Sequence, residues 1–156
     1  MAGPYDKQVF FESVSQVTAT NSVEVGSLRQ DGEDLYMYLY NAGGEQIDQH
    51  EGCALSAVSG YSVTISSLTN VDMFAHCKNA TSTTGTYFWG LRRGFAEVEM
   101  GANNSAAAGA LLCPSANGLY AHATQTTLPF GKIVGKAMGA IASGASGSAY
   151  LDFGGR

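Results

Sequence analysis

The side chains of this sequence best able to do chemistry are its histidines and cysteines, which fall near one another as His50 with Cys53, His76 with Cys77, and Cys113 with His122. Imidazole and thiolate are natural ligands of zinc. The H-x-x-C spacing at 50–53 suits one local pair, but no C-x-x-C accompanies it. Neighbours such as His76 and Cys77 point to opposite faces in an extended chain. Three cysteines this far apart also make no disulfide framework and read as reduced, small hydrophobes. Neither a metal nor a cofactor is expected. Glu97 and Glu99 would project from one strand face like a pair of hydrolytic carboxylates, but the simpler reading is that they solvate the outer face of a strand or meet a basic patch on another subunit. There is no G-x-S-x-G elbow, since Gly144-Ala145-Ser146-Gly147 has the wrong spacing. Phosphate-cradling glycine motifs are absent as well. The sequence is read as that of a non-enzyme.

The elements that would position these residues are strands. The clearest is 95–100, where Ala96, Val98 and Met100 share one side and Phe95, Glu97 and Glu99 the other, the period of two of a half-buried strand. Residues 61–66 alternate equally well, with Tyr61, Val63 and Ile65 inward. Residues 35–40 place Leu35, Met37 and Leu39 on one face and Tyr36, Tyr38 and Tyr40 on the other. With the aliphatic face in the core, the tyrosines form a partly exposed ladder suited to a partner; the alternative is a ladder covered by a loop of the same chain. Residues 86–90 read as an aromatic strand. Arg92-Arg93-Gly94 follows as a connection with a bend or bulge, either facing solvent or pairing with a partner's acids. Residues 106–112 fit either two helical turns or a loop into a strand at 111–113. Asn117-Gly118 then marks a hairpin to 119–123. A bent strand over 132–142 and a last strand at 149–153 complete the chain. Residues 1–22 read as an N-terminal arm or a first edge strand, ahead of one β domain over 23–156. The expected fold is all-β, a compact barrel or sandwich of about 8–11 short strands.

With 156 residues, one core is the economical reading. The chain is 45% hydrophobic but only 13% charged, about half the usual charged share, so hydroxyls, amides and methyls must cover much of its surface. That composition fits a protein displayed against protein in an assembly, or a merely neutral one. A net charge of -5 with eight Lys and Arg gives no basic stripe for nucleic acid. Neither a membrane span nor a signal peptide is expected.

From Gly90 onward the chain resembles small bacteriophage head decoration, or cement, proteins. The resemblance lies in Gly94-Phe95-Ala96-Glu97-Val98, the alanine-rich approach to Leu111-Leu112, Ala116-Asn117-Gly118, the 131–137 stretch, and Ala142 to Gly147 before Tyr150-Leu151-Asp152-Phe153. It implies a homotrimer made in the host cytoplasm and mounted on the outer surface of an icosahedral head. There it would bind the major capsid protein, with the N-terminal arm reaching across capsomers. Phe10, Phe11, Tyr36, Tyr38, Tyr40, Arg92 and Arg93 are the contact candidates. A phage tail or fibre component is the alternative. So is a carbohydrate-binding module, with Tyr87, Phe88 and Trp89 as its stacking platform.

Overall fold

The computed structural model describes residues 13–57, 60–65, 73–124 and 133–154. Expectations for residues 1–12, Phe10 and Phe11 among them, lie outside the described residues. Ten strands follow in chain order: β1 (Leu28–Asp31), β2 (Asp34–Asn41), β3 (Gly52–Ala57), β4 (Ser62–Ile65), β5 (Ala75–His76), β6 (Tyr87–Glu99), β7 (Leu111–Pro114), β8 (Tyr120–His122), β9 (Gly135–Ala137) and β10 (Ser146–Asp152). A short 3-10 turn, Ala116–Gly118, joins β7 to β8, and no α-helix occurs among the described residues. The fold is all-β.

The strand pairings close into two small barrels that share β6. In the first, β2 pairs β6, β6 pairs β5, β5 pairs β3 and β3 pairs β4, all antiparallel, and β4 returns parallel to β2. In the second, β6 pairs β10, then β9, β7 and β8 follow antiparallel, and Tyr120 of β8 returns to Met100 through a parallel bridge. Closure removes the unpaired edges that an open sheet of short strands would expose.

The second barrel repeats the first along the chain. Ile47 bridges Ser82, and Ala106 bridges Ile141, each partner lying 59 positions further on (47 to 106, 82 to 141). The rows of β2 against β6, such as Tyr40↔Tyr87 and Tyr38↔Trp89, recur 59 positions later in β6 against β10 as Glu99↔Ser146 and Glu97↔Ser148. Backbone bonds recur with a slip of one residue: His50 N–H to the Cys77 carbonyl (2.9 Å) matches Gly109 N–H to that of Ala137 (2.8 Å), 59 positions on for the donor and 60 for the acceptor. Three residues after each bridge residue the chain turns at positive φ, at His50 (78°), Gly85 (81°), Gly109 (83°) and Gly144 (63°). Glycine takes that conformation freely; His50 is the exception.

Met37, Leu39, Cys53, Val63, Ala75 and Phe88 fill the first barrel. Ala96, Val98, Met100, Leu112, Tyr120 and Leu151 fill the second, in a cluster that also takes in Tyr36, Tyr38, Trp89 and Leu91 from the outside of the first. A bulge joins them. Leu35 pairs with Arg93 but Tyr36 pairs with Leu91, so Arg92 is an extra residue in β6. One extra residue inverts the alternation. The side of β6 that carries Trp89 and Leu91 therefore continues as the side that carries Ala96, Val98 and Met100. Gly94 follows at φ 139°, where a Cβ would strike the Asp34 carboxylate.

Several expectations are corrected. Residues 86–90 and 95–100 are one strand of 13 residues, with a bulge rather than a connection between them. Tyr61 does not face inward; it turns at φ 49° and stays exposed, while Val63 is buried. The alanine-rich segment is a loop entering β7, and the strand expected over 132–142 shortens to β9 with a bridge at Ile141. The hairpin at Asn117-Gly118 forms as expected, both residues at positive φ. Of the N-terminal stretch, residues 13–22 lie against their own fold: Thr18 and Tyr87 exchange two backbone hydrogen bonds, and Val14 and Val17 pack on the two cores.

Candidate interaction surface

The titratable groups that first invite a chemical reading are structural. His76 is fully buried rather than on the surface. Its Nε2 lies 2.9 Å from the Glu97 carbonyl and its Nδ1 2.8 Å from the Tyr120 hydroxyl. A carbonyl only accepts, so Nε2 carries the proton and Nδ1 accepts from Tyr120. Burial pushes the pKa of His76 down to about 3, and the ring stays neutral as a tie between the barrels. Cys77, its neighbour, points the other way into the first barrel, and burial holds the Cys53 thiol up at about 12. All three cysteines are free and buried. Among the described residues no group of three or more His, Cys, Asp or Glu is placed to hold a metal.

A second polar cluster pins the β1–β2 hairpin beside the bulge. Asp34 Oδ1 accepts from the Phe95 N–H (3.1 Å), while Oδ2 accepts from the Tyr36 hydroxyl (3.2 Å) and pairs with the Lys78 ammonium. Burial works against the charged form of Lys78, but the bond and charge of Asp34 outweigh it and its pKa rises. Burial raises that of Tyr36. Asp34 thus ties the Phe95 backbone, the Tyr36 hydroxyl and the Lys78 ammonium together and holds Phe95 in place.

The tyrosine ladder is not exposed. Tyr36 and Tyr38 are 2% and 1% accessible. The chain itself covers them, as the alternative reading had it: the Ser22 and Tyr38 hydroxyls lie 3.1 Å apart, Val23 and Val25 pack on the same cluster, and Arg29 sits 5.8 Å from the Trp89 ring. Tyr38 stacks on Tyr87 at 5.9 Å, and half-buried Tyr40 tilts against Tyr87 at 4.7 Å. Phe88 and Trp89 are both buried, on opposite sides of β6, so the flat platform of Tyr87, Phe88 and Trp89 does not exist. Arg92 is 6% accessible and is turned away from solvent. Its guanidinium lies 3.8 Å from the Phe74 ring and donates to the carbonyls of Phe74 and Gly154, so the extra residue of the bulge clamps the segment after β10 to the residue before β5.

Arg93 alone of the described contact candidates is exposed, and it opens a face whose acids the sequence assigns either to solvating the outside of a strand or to a basic patch on another subunit. On the outside of the second barrel, Arg93 pairs across the sheet with Asp152, Phe95 with Tyr150, and Glu97 with Ser148. Tyr150 continues the row to Lys136, and Lys136 to Leu111. Phe95 is 45% accessible and meets Tyr150 edge to face at 5.1 Å. Leu111 and Met138 are exposed beside them. Two aromatic rings lie here among two cations and two anions, a mixture of the kind found at protein interfaces. The period of two at 95–100 marked this face as the outer one; its cross-strand partners were not legible.

No protein-family model matches the chain, and no curated protein matches it. Among solved structures it is similar to one described as the head fiber gp8.5 N base in bacteriophage phi29, with a TM-score of 0.56, 10% identity, and coverage of 78% of this chain and 98% of that one. The likeness is one of fold. It spans nearly the whole of that neighbour.

Proposed function

We propose that this chain is a structural, non-enzymatic protein of a bacteriophage virion: a decoration protein, homotrimeric, seated on the outer surface of the head and bound to the major capsid protein. The observation that carries the reading is the fold shared with almost all of a phage head-fibre base. The sequence resemblance to head decoration proteins and the charge-poor surface support it independently. Such a protein works without a reactive site. Each copy adds a modest contact, linkage within an oligomer raises the effective concentration of the rest, and binding only to the assembled shell stabilises that shell by mass action. Candidate contacts remain Phe10, Phe11 and Arg93, and Tyr40 to the extent that it is exposed.

A second reading, a fibre or tail component, is favoured by the neighbour's own description as a fibre base. Quantitative mass spectrometry of purified source particles separates the two. A copy number approaching that of the major shell protein supports decoration. A few copies per particle move the assignment to a fibre or tail part, and absence from particles overturns both.

A further inference from the structure

We infer that the outer face of the second barrel is where copies of this chain meet, the Phe95–Tyr150 pair of each copy packing at the symmetry axis. This names the face behind the self-association in the reading above and rests on that reading for the self-association alone. The face itself is assigned by the internal repeat.

The row Leu111–Lys136–Tyr150–Phe95 crosses β7, β9, β10 and β6 in register. The matching row of the first barrel, Gly52–His76–Leu91–Tyr36, crosses β3, β5, β6 and β2 at the same steps and is wholly buried. Protein of the same chain covers that earlier face, with residues 22–29 laid along its aromatic side. The second face has the same backbone, with the exposed ring of Phe95 against the half-buried ring of Tyr150, and no such segment lies over it among the described residues.

Charge selects the occupant. Arg93 and Lys136 stand on this face beside Glu97 and Asp152, and neither cation has an ion-pair partner among the described residues. A strongly acidic or basic partner would leave half of these charges opposed to like charge. Copies of the same face gathered about a symmetry axis offer one another opposite charges and further rings.

The test is light scattering with size-exclusion chromatography on the free, full-length protein, with thermal melts as the check on folding. Wild type is expected to be an oligomer at about 100 µM, above the micromolar constants of weak specific interfaces. Phe95→Asp and Tyr150→Asp are each expected to raise its dissociation constant roughly 30-fold or more, the scale of a central anchor. Tyr61→Asp, an exposed ring elsewhere, should leave it unchanged. Arg93→Glu should weaken association and Arg93→Glu with Asp152→Arg should restore it. A monomeric wild type overturns the inference, and the virion reading then stands or falls separately on the particle copy number. An oligomer indifferent to both ring substitutions, with folding intact, overturns the assignment of the face while leaving self-association in place.

Discussion

The two barrels use one backbone arrangement and clothe it differently. On the outside of the first, Tyr36, Tyr38, Trp89 and Leu91 are packed away; at the corresponding steps of the second stand Phe95, Glu97, Ser148 and Tyr150, turned outward. The pairing register is the same, so hydrogen bonding alone does not decide which face becomes core. Two local devices do. The extra residue Arg92 turns the ladder side of β6 into the interior side of the second barrel, and residues 22–29 cover what remains. A repeated fold thus yields one half in which β2, β5 and the first part of β6 are buried on both sides and one with a face to spare.

Matched substitutions break this comparison most sharply. Trp89→Ala should cost about 3–5 kcal/mol in urea unfolding, the usual loss for a buried large aromatic side chain. Ser148→Ala, 59 positions on and exposed, should stay within roughly 0.5 kcal/mol. Equal costs would mean that both outer faces are core.

Acid should separate His76 from its counterpart Lys136. His76 has a pKa near 3 in the fold against an ordinary 6.5, so below pH 6.5 the unfolded chain takes up a proton that the folded chain refuses. Its contribution is intact above pH 6.5 and is lost as pH falls, by roughly 3 kcal/mol between pH 6.5 and 4. In denaturant titrations across that range, His76→Gln should lose this part of the slope and Lys136→Gln should keep it. An unchanged slope in His76→Gln would mean that the ring is protonated in the fold.

The turns sharpen the likeness of the halves rather than their difference. Gly85→Ala and Gly144→Ala occupy the same place in successive barrels at positive φ and should each cost about 1–2 kcal/mol. His50→Gly, at a third such turn, should be neutral or stabilise by up to about 1 kcal/mol. Calorimetry of the three variants checks this, and a stabilising Gly→Ala at either position would show that the turns are not held as described.

These results mark what was legible in the sequence. Residues 95–100 could be read because one side of that strand is buried and the other is not, so polarity alternates with the pleat. Residues 35–40 alternate as clearly, but both sides are buried there, and tyrosine serves either environment; pattern alone could not choose. Arg92 was misplaced because a bulge has no fixed residue type and here buries a guanidinium against backbone carbonyls and a ring. The repeat leaves little trace in the sequence because it lies in backbone bonds and turn conformation, not in side chains. Gly85 and Gly144, and His50 and Gly109, each 59 apart, were the faint signal, masked by a histidine where glycine was the natural choice. The interaction face was hidden for a related reason: Phe95, Tyr150, Lys136 and Leu111 are far apart in sequence and become neighbours only through β-pairing.

The shared strand β6 has a consequence for how the molecule comes into being. A chain leaving the ribosome has delivered every strand of the first barrel once residue 99 is out, while the other wall strands of the second are still to come. The first half can close early and offer its outer edge as a template, on which the second half is laid in the same order of pairings. The Arg92 guanidinium then donates to the Gly154 carbonyl, fastening the segment after β10 to the middle of the strand both halves were built around.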